Sequence, residues 1–357
     1  MVLSTWLAPS FFRRLRLSSP ASLSSPLRQM SVLMPVHMLG LGLISLLMAA
    51  GDAGVSVAAA AATEEAVEEL RLETSDGIRI AAWHYPAPKE AKAVATVILI
   101  HDLEGSHKTV DHFARSLQQA GCAVVAPDLR GHGGSGIRPA ALAGTDKDDK
   151  GQPRLLKKID FESMAAATGG RLRDQSGMRG EIEAVRNWIK QQSDAGSLDI
   201  DRLCVVGCGL GATLASMWTA ADSNWPPTTT GPQGRQVRAL ALVSPVWATK
   251  GISMSVPFAN GALQREIPIM VFAGKADRDA IRLFDQLKRF RPATWFQLRP
   301  GQPSEQARDL KEPTDATVIF IQIDTSLTGD KLANDPALHV ADQIKTFFTL
   351  ALNRKPD

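Results

Sequence analysis

Apolar and polar positions along this chain repeat with two periods. Residues 70–74 and 78–84 alternate around Ser75-Asp76-Gly77, the pattern of a two-stranded hairpin with a glycine-bearing turn. Short, mostly apolar runs follow at 93–100, 123–126, 203–206, 237–243, 269–272 and 317–323, each the length of a strand buried on both faces. Between them lie stretches of helical period at 110–120, 179–192, 280–290 and 336–352. In the second of these, Ile182, Val185, Trp188 and Ile189 share one face. Strands alternating with helices at this spacing predict an α/β fold with a mainly parallel central sheet and helices on both faces.

Two segments break the pattern. Residues 136–178 are rich in Gly, Pro, Lys and Asp, with one short apolar patch at 159–164, and read as a lid-like or disordered insertion. Residues 1–62 carry Arg13, Arg14, Arg16 and Arg28 ahead of an uncharged apolar run at 38–50, with small residues through Ala58 and Ala62, which is the layout of a secretory leader. The stretch at 30–50 is also about as long as a tilted membrane span, so the leader reads either as a cleaved signal peptide or as an N-terminal anchor associated with a membrane. In both readings the remainder, 63–357, is one exported domain, periplasmic or extracellular if the leader is cleaved and membrane-anchored if it is not.

Composition narrows the function classes. Those four arginines against Asp52 account for the whole formal charge of +3, so the globular part is neutral and has no basic face for nucleic acid. Of the three cysteines, Cys204 and Cys208 are four apart across a predicted strand-to-turn junction and offer no structural zinc site, and Cys122 and Cys204 read as small buried hydrophobes. The histidines show no metal-ligand spacing. No metal and no cofactor is expected.

Three stretches carry chemistry: the strand that runs into His101, the turn Asp-Leu-Arg-Gly-His-Gly-Gly-Ser at 128–135, and the strand-turn-helix Cys204-Val205-Val206-Gly207-Cys208-Gly209-Leu210-Gly211-Ala212. Together they resemble the α/β-hydrolase superfamily, especially its serine-aminopeptidase and monoacylglycerol-lipase-like branch. The likeness is strongest over 96–135 and extends more loosely from about Thr74 to the C-terminus. It implies an α/β-hydrolase fold with a nucleophile elbow at 207–211, backbone oxyanion donors at Leu103 and Leu210, and an acid at Asp277, in the stretch Ile-Met-Val-Phe-Ala-Gly-Lys-Ala-Asp.

The pattern departs from the family where the reaction would occur. Gly207 and Gly211 supply the close strand-to-helix turn, but the nucleophile position is Gly209, which has no side chain to acylate. Its backbone N–H groups remain suited to an anion. Cys208 is the one thiol at the turn, yet it stands one position early, where its side chain should point elsewhere. Asp102 follows His101 where the family usually has glycine, and a carboxylate beside the oxyanion position opposes catalysis unless it turns to solvent. Asp277 reads equally as a vestigial acid or as a turn-capping aspartate. A catalytic histidine should follow the last strand near 325–329, where the sequence is Thr-Ser-Leu-Thr-Gly. The only later histidine is His339, expected in the first turn of the terminal helix behind an Asp335 N-cap and Pro336. The favoured expectation is a degenerate member that binds a small molecule or protein partner without acyl transfer. The alternatives are an ester, lipid or peptide hydrolase using Cys208 or an unrecognised nucleophile, and an envelope scaffold.

Overall fold

The computed structural model describes residues 66–75, 78–88, 92–135, 180–226, 229, 233–249 and 252–354. The leader at 1–62, the insertion at 136–178, and Asp76 and Gly77 of the first turn lie outside them. All described residues belong to Glu64–Asp357, one of two units into which the chain's contacts divide.

The described strands are β1 (Glu68–Glu73), β2 (Arg79–Tyr85), β3 (Thr96–Ile100), β4 (Ala123–Pro127), β5 (Leu203–Cys208), β6 (Ala239–Val243), β7 (Ala248–Thr249), β8 (Ile252–Ser253), β9 (Ile269–Gly274), β10 (Trp295–Leu298), β11 (Glu305–Gln306) and β12 (Val318–Ile323). Ten form one sheet in the order β1-β2-β4-β3-β5-β6-β9-β12-β10-β11, and β7 pairs only with β8. Pairing is antiparallel at the β1-β2, β2-β4 and β10-β11 edges and parallel from β4 through β10. Every residue of β3, β4, β5, β6 and β9 is buried. A strand buried at each successive position is covered on both faces, which is why these runs show no alternation in the sequence.

The helices are α1 (His107–Gln119), α2 (Glu181–Asp194), α3 (Leu210–Ser223), α4 (Gly261–Arg265), α5 (Arg278–Phe290), α6 (Gly329–Asn334) and α7 (Val340–Asn353). α1 buries Val110, Phe113, Ala114 and Leu117, and α5 buries Ala280, Leu283, Phe284 and Leu287, both at the i, i+3, i+4, i+7 spacing of one helical face. Each such Phe or Leu contributes roughly 1.5–3 kcal/mol through burial. Helix α3 is buried along its whole length, which its small residues permit by letting neighbours approach closely.

The expected terminal helix is divided. Asp335 accepts a hydrogen bond from the Ala337 N–H and opens a 3-10 turn, Pro336–Leu338, and His339, at φ 50°, separates that turn from α7. A left-handed residue cannot continue a right-handed helix, so His339 stands at the break and not inside a first turn. The sequence reading also passed over β7, β8, β10, β11, α4 and α6, all of them six residues or shorter.

Strand order locates the site. From β3 the chain moves to β4 on one side and later to β5 on the other, so the direction of winding reverses between β3 and β5. In open α/β sheets ligands bind outside the carboxyl ends of the strands at such a reversal. Here those ends are Ile100, leading into His101 and Asp102, and Cys208, leading into Gly209. The turn after β4 is fixed independently. The buried Asp128 carboxylate accepts hydrogen bonds from the His107 and Gly134 N–H groups, at 2.6 and 2.7 Å, and Ser135 Oγ donates to the Asp128 carbonyl. A buried ion pair, Arg130 with Glu181, joins the chain on the two sides of the insertion.

Candidate active site and its occupant

The turn from β5 into α3 is as tight as its glycines predicted. A Cβ on Gly207 would lie 2.4 Å from the Gly211 carbonyl oxygen, and one on Gly211 would lie 2.3 Å from the His101 carbonyl oxygen. Both are backbone atoms and cannot yield cheaply, so the helix start packs directly on the ends of β5 and β3. Gly209 sits at the apex with φ 55° and ψ −120°, a conformation costly for any residue with a side chain. Its N–H donates to the Val243 carbonyl at 2.8 Å and its own carbonyl accepts from Val246 at 3.3 Å, which holds the apex to the end of β6.

The place of the missing side chain is filled. A Cβ on Gly209 would fall 1.9 Å from both Cγ and Oδ1 of Asp102. Oδ1 of Asp102 accepts hydrogen bonds from the Leu103 N–H at 2.6 Å and the Leu210 N–H at 2.8 Å. These are the two donors that the family likeness assigned to an oxyanion, converging here on a carboxylate of the same chain. Asp102 was expected to oppose catalysis from nearby unless it turned to solvent. It turns inward, because two convergent N–H groups, one from the loop after β3 and one from the start of α3, offer a better partner for a carboxylate oxygen than the exposed direction does.

A second acid supports the first. Asp330, in the first turn of α6, accepts the Asp102 N–H on Oδ1 at 2.8 Å, and its Oδ2 accepts the Thr109 hydroxyl. Just before it, Gly329 stands where the family would have its histidine region, and a Cβ there would lie 2.1 Å from Asp102 Oδ2. Two glycines, 209 and 329, thus make the room that Asp102 occupies. Burial pushes the carboxyl of Asp330 up from 3.8 to about 6, partly offset by its hydrogen bonds. Burial also raises Asp102, against the pull of the Leu210 and Leu103 N–H groups. Neither Asp330 nor Thr109 was singled out from the sequence. The Gly-Asp pair at 329–330 was the only signal, and it resembles an ordinary helix start.

The other predicted site residues are separated from this arrangement. Cys208 is fully buried at the end of β5, and its thiol is pushed well above the usual range, first by burial and then by the charges of Asp330 and Asp102. Burial and a raised thiol are the setting of a packing residue. Asp277 caps α5, with Oδ1 accepting from the Ala280 N–H at 3.0 Å. Its Oδ2 and the hydroxyl of Ser244 are both buried, and burial raises the carboxyl against the pull of the Ala280 N–H and the Ser244 hydroxyl. In a serine-hydrolase triad that second oxygen would hold a histidine. His339 is not that histidine: its side chain is 61% exposed and lies 3.5 Å from Asp342, on the next turn of its own segment.

His101 is also engaged. Its Nδ1 donates to the Asp102 carbonyl at 2.7 Å, its Nε2 accepts from the Leu129 N–H at 3.1 Å, and burial lowers it to about 4. His101 is therefore a neutral strut between the turns after β3 and β4. His132 packs beside it with ring centroids 5.2 Å apart. Among the described residues no group of three or more His, Cys, Asp or Glu side chains has the arrangement of a metal site, and no helix is long and apolar enough to cross a membrane.

The sequence profile of the alpha/beta hydrolase family matches residues 97–350. Among solved structures the chain is similar to an esterase of Pyrococcus furiosus at 14% identity, covering 79% of this chain and 91% of that one, with a TM-score of 0.46. It is similar to a hyperthermophilic esterase of the archaeon Pyrobaculum calidifontis at 14% identity, covering 80% and 85%, with a TM-score of 0.49. A dienelactone hydrolase of Anabaena variabilis matches at 13% identity, covering 79% and 96%, with a TM-score of 0.46. No curated protein matches the chain.

Proposed function

Because the chain belongs to the alpha/beta hydrolase family, we propose that it is an exported member without serine-hydrolase chemistry, which binds a small molecule or a protein partner at the crevice above Gly209. One observation carries this reading. The nucleophile position is a glycine at φ 55° whose side-chain space already holds the Asp102 carboxylate. The state of the acid and base positions agrees with it, since Asp277 caps a helix and, among the described residues, no histidine is hydrogen-bonded to it.

Family membership itself favours a second reading, ester hydrolysis by a nucleophile outside the usual frame. One set of assays separates the two. The purified chain is exposed to a fluorophosphonate and a thiol-directed acyl probe, and p-nitrophenyl ester turnover is followed in parallel. No labelling by either probe and no turnover above the buffer rate is the expected result. Labelling that vanishes in Cys208→Ser, or turnover that survives purification, would overturn the non-catalytic reading. Gly209→Ser is expected to restore no turnover, because a hydroxyl without a base is not activated at neutral pH.

A further inference from the structure

We propose that the Leu103 and Leu210 N–H groups form a carboxylate seat whose permanent occupant is the chain's own Asp102, so that the site is closed by an internal ligand. The proposal rests on the non-catalytic reading of the site and deepens it. Four observations carry it. Both N–H groups reach a single oxygen, Oδ1, at 2.6 and 2.8 Å. One of them comes from the loop after β3 and the other from the start of α3, so the seat is built from two elements and is not merely a helix end. The space around the carboxylate is shaped to it by two glycines, since a Cβ on Gly209 would come within 1.9 Å of Oδ1 and one on Gly329 within 2.1 Å of Oδ2. Asp330 holds the backbone of the occupant in place through the Asp102 N–H.

Such a seat has a specific consequence for ligands. In the native chain, the carbonyl oxygen of an ester or the carboxylate of a ligand finds no free donor pair at this point. It meets a carboxylate of like charge. Removing the occupant, in contrast, leaves two convergent donors and a cavity of known shape. Replacing Asp102 by glycine deletes a methylene and a carboxylate, the size of acetate. Replacing it by alanine leaves the methylene position filled and deletes only the carboxylate, the size of formate.

The test is thermal unfolding of the native chain, Asp102→Gly and Asp102→Ala in sodium acetate, formate, propionate and chloride at matched ionic strength and pH. A ligand at ten times its Kd raises Tm by mass action, about 3–6 °C for a domain of this size. Acetate is expected to raise the Tm of Asp102→Gly by such an amount over chloride, formate to do the same for Asp102→Ala, and propionate to do neither. The native chain is expected to respond to none of them. If neither variant responds to its matched anion, or if the native chain gains as much as the variants, the seat is not where the anion binds and the proposal fails. Should Asp102→Gly not fold in chloride, the alanine variant with formate carries the same comparison. Because the readout is binding and not turnover, ester hydrolysis by the native chain would overturn the proposed function without touching this result. Loss of the anion response would leave Gly209 without a nucleophile all the same.

Discussion

Gly209→Ser is expected to lower the melting temperature by roughly 5–15 °C, and adding Asp102→Gly in the same chain is expected to lower it little further, although Asp102→Gly alone is destabilising. The single substitution meets two costs at once. Serine must adopt φ 55° and ψ −120°, which costs on the order of 1–3 kcal/mol, and its Cβ claims the volume of the Asp102 carboxyl group, 1.9 Å away. The carboxylate then has to leave the Leu103 and Leu210 N–H groups, a further loss of about 1–3 kcal/mol. With Asp102 already removed only the first cost remains, so the two substitutions should couple by about 1–3 kcal/mol instead of adding. Denaturant unfolding of the native chain, both single variants and the double variant closes the cycle. Strict additivity would mean that Asp102 does not occupy the side-chain space of residue 209 in solution, and the account of the site given above would fall with it.

The coupling also suggests why the substitutions at 102, 209 and 329 belong together. A serine at 209 and a carboxylate at 102 compete for one volume, and a side chain at 329 competes for its other side. A chain with any one of these groups in place has a reason to lack the others. On the proposed non-catalytic reading, the glycine at 209 and the filling of its side-chain space are a single structural change. The remaining N–H pair is satisfied from within, which removes the penalty of leaving two donors unpaired in a partly buried pocket.

The sheet was legible in the sequence because its information is local. Runs such as Val97 to Ile100 and Val205 to Val206 are apolar at every position, and a strand covered on both faces requires that. The elbow was legible for a related reason, since Gly207 and Gly211 are demanded by backbone contacts that few other residues permit. The two-residue strands β7, β8 and β11, and the short β10, α4 and α6, were not, since none of them is an unbroken apolar run and each completes too little of either period to be distinguished from a loop. The occupant of the site was half legible. Asp102 stood out as a departure from the expected glycine, but its direction depends on Asp330, 228 positions later, and on Gly329, whose missing side chain is what lets it turn inward. A contact between the ends of two strands that are distant along the chain leaves no periodic trace. Asp277 was ambiguous from the sequence for a different reason. Capping a helix and holding a histidine use different oxygens of one carboxylate, so the same residue type serves either purpose.

The second large effect expected is a gain, and it depends on pH: Asp330→Asn should stabilise the chain by about 3 kcal/mol at pH 8 and by almost nothing at pH 4. The carboxyl of Asp330 is raised from 3.8 to about 6, with burial as the leading cause. A group whose pKa is raised by folding contributes stability that is complete below its unfolded pKa and is lost as pH rises through the folded value. For Asp330 that window runs from about pH 4 to about pH 6. Glu183, buried beside Arg186 and Trp218, is raised from 4.5 to about 7 and extends the decline to neutrality, and Asp102, Asp222 and Asp277 are raised in the same direction. His101 opposes them. Lowered by burial to about 4, it withdraws stability as pH falls below its unfolded value near 6.5. Asp330 and Glu183, against the one imidazole, leave a net fall in stability between pH 5 and pH 8. Asparagine at 330 retains an oxygen for the Asp102 N–H and has no charge to bury, so its curve should lie above that of the native chain at pH 8 and converge with it at pH 4. Part of that gain is relief from the negative charge of nearby Asp102. Urea unfolding at the two pH values measures both points, and an Asp330→Asn variant weaker than the native chain at pH 8 would show that the charged carboxylate is needed to hold the Asp102 backbone.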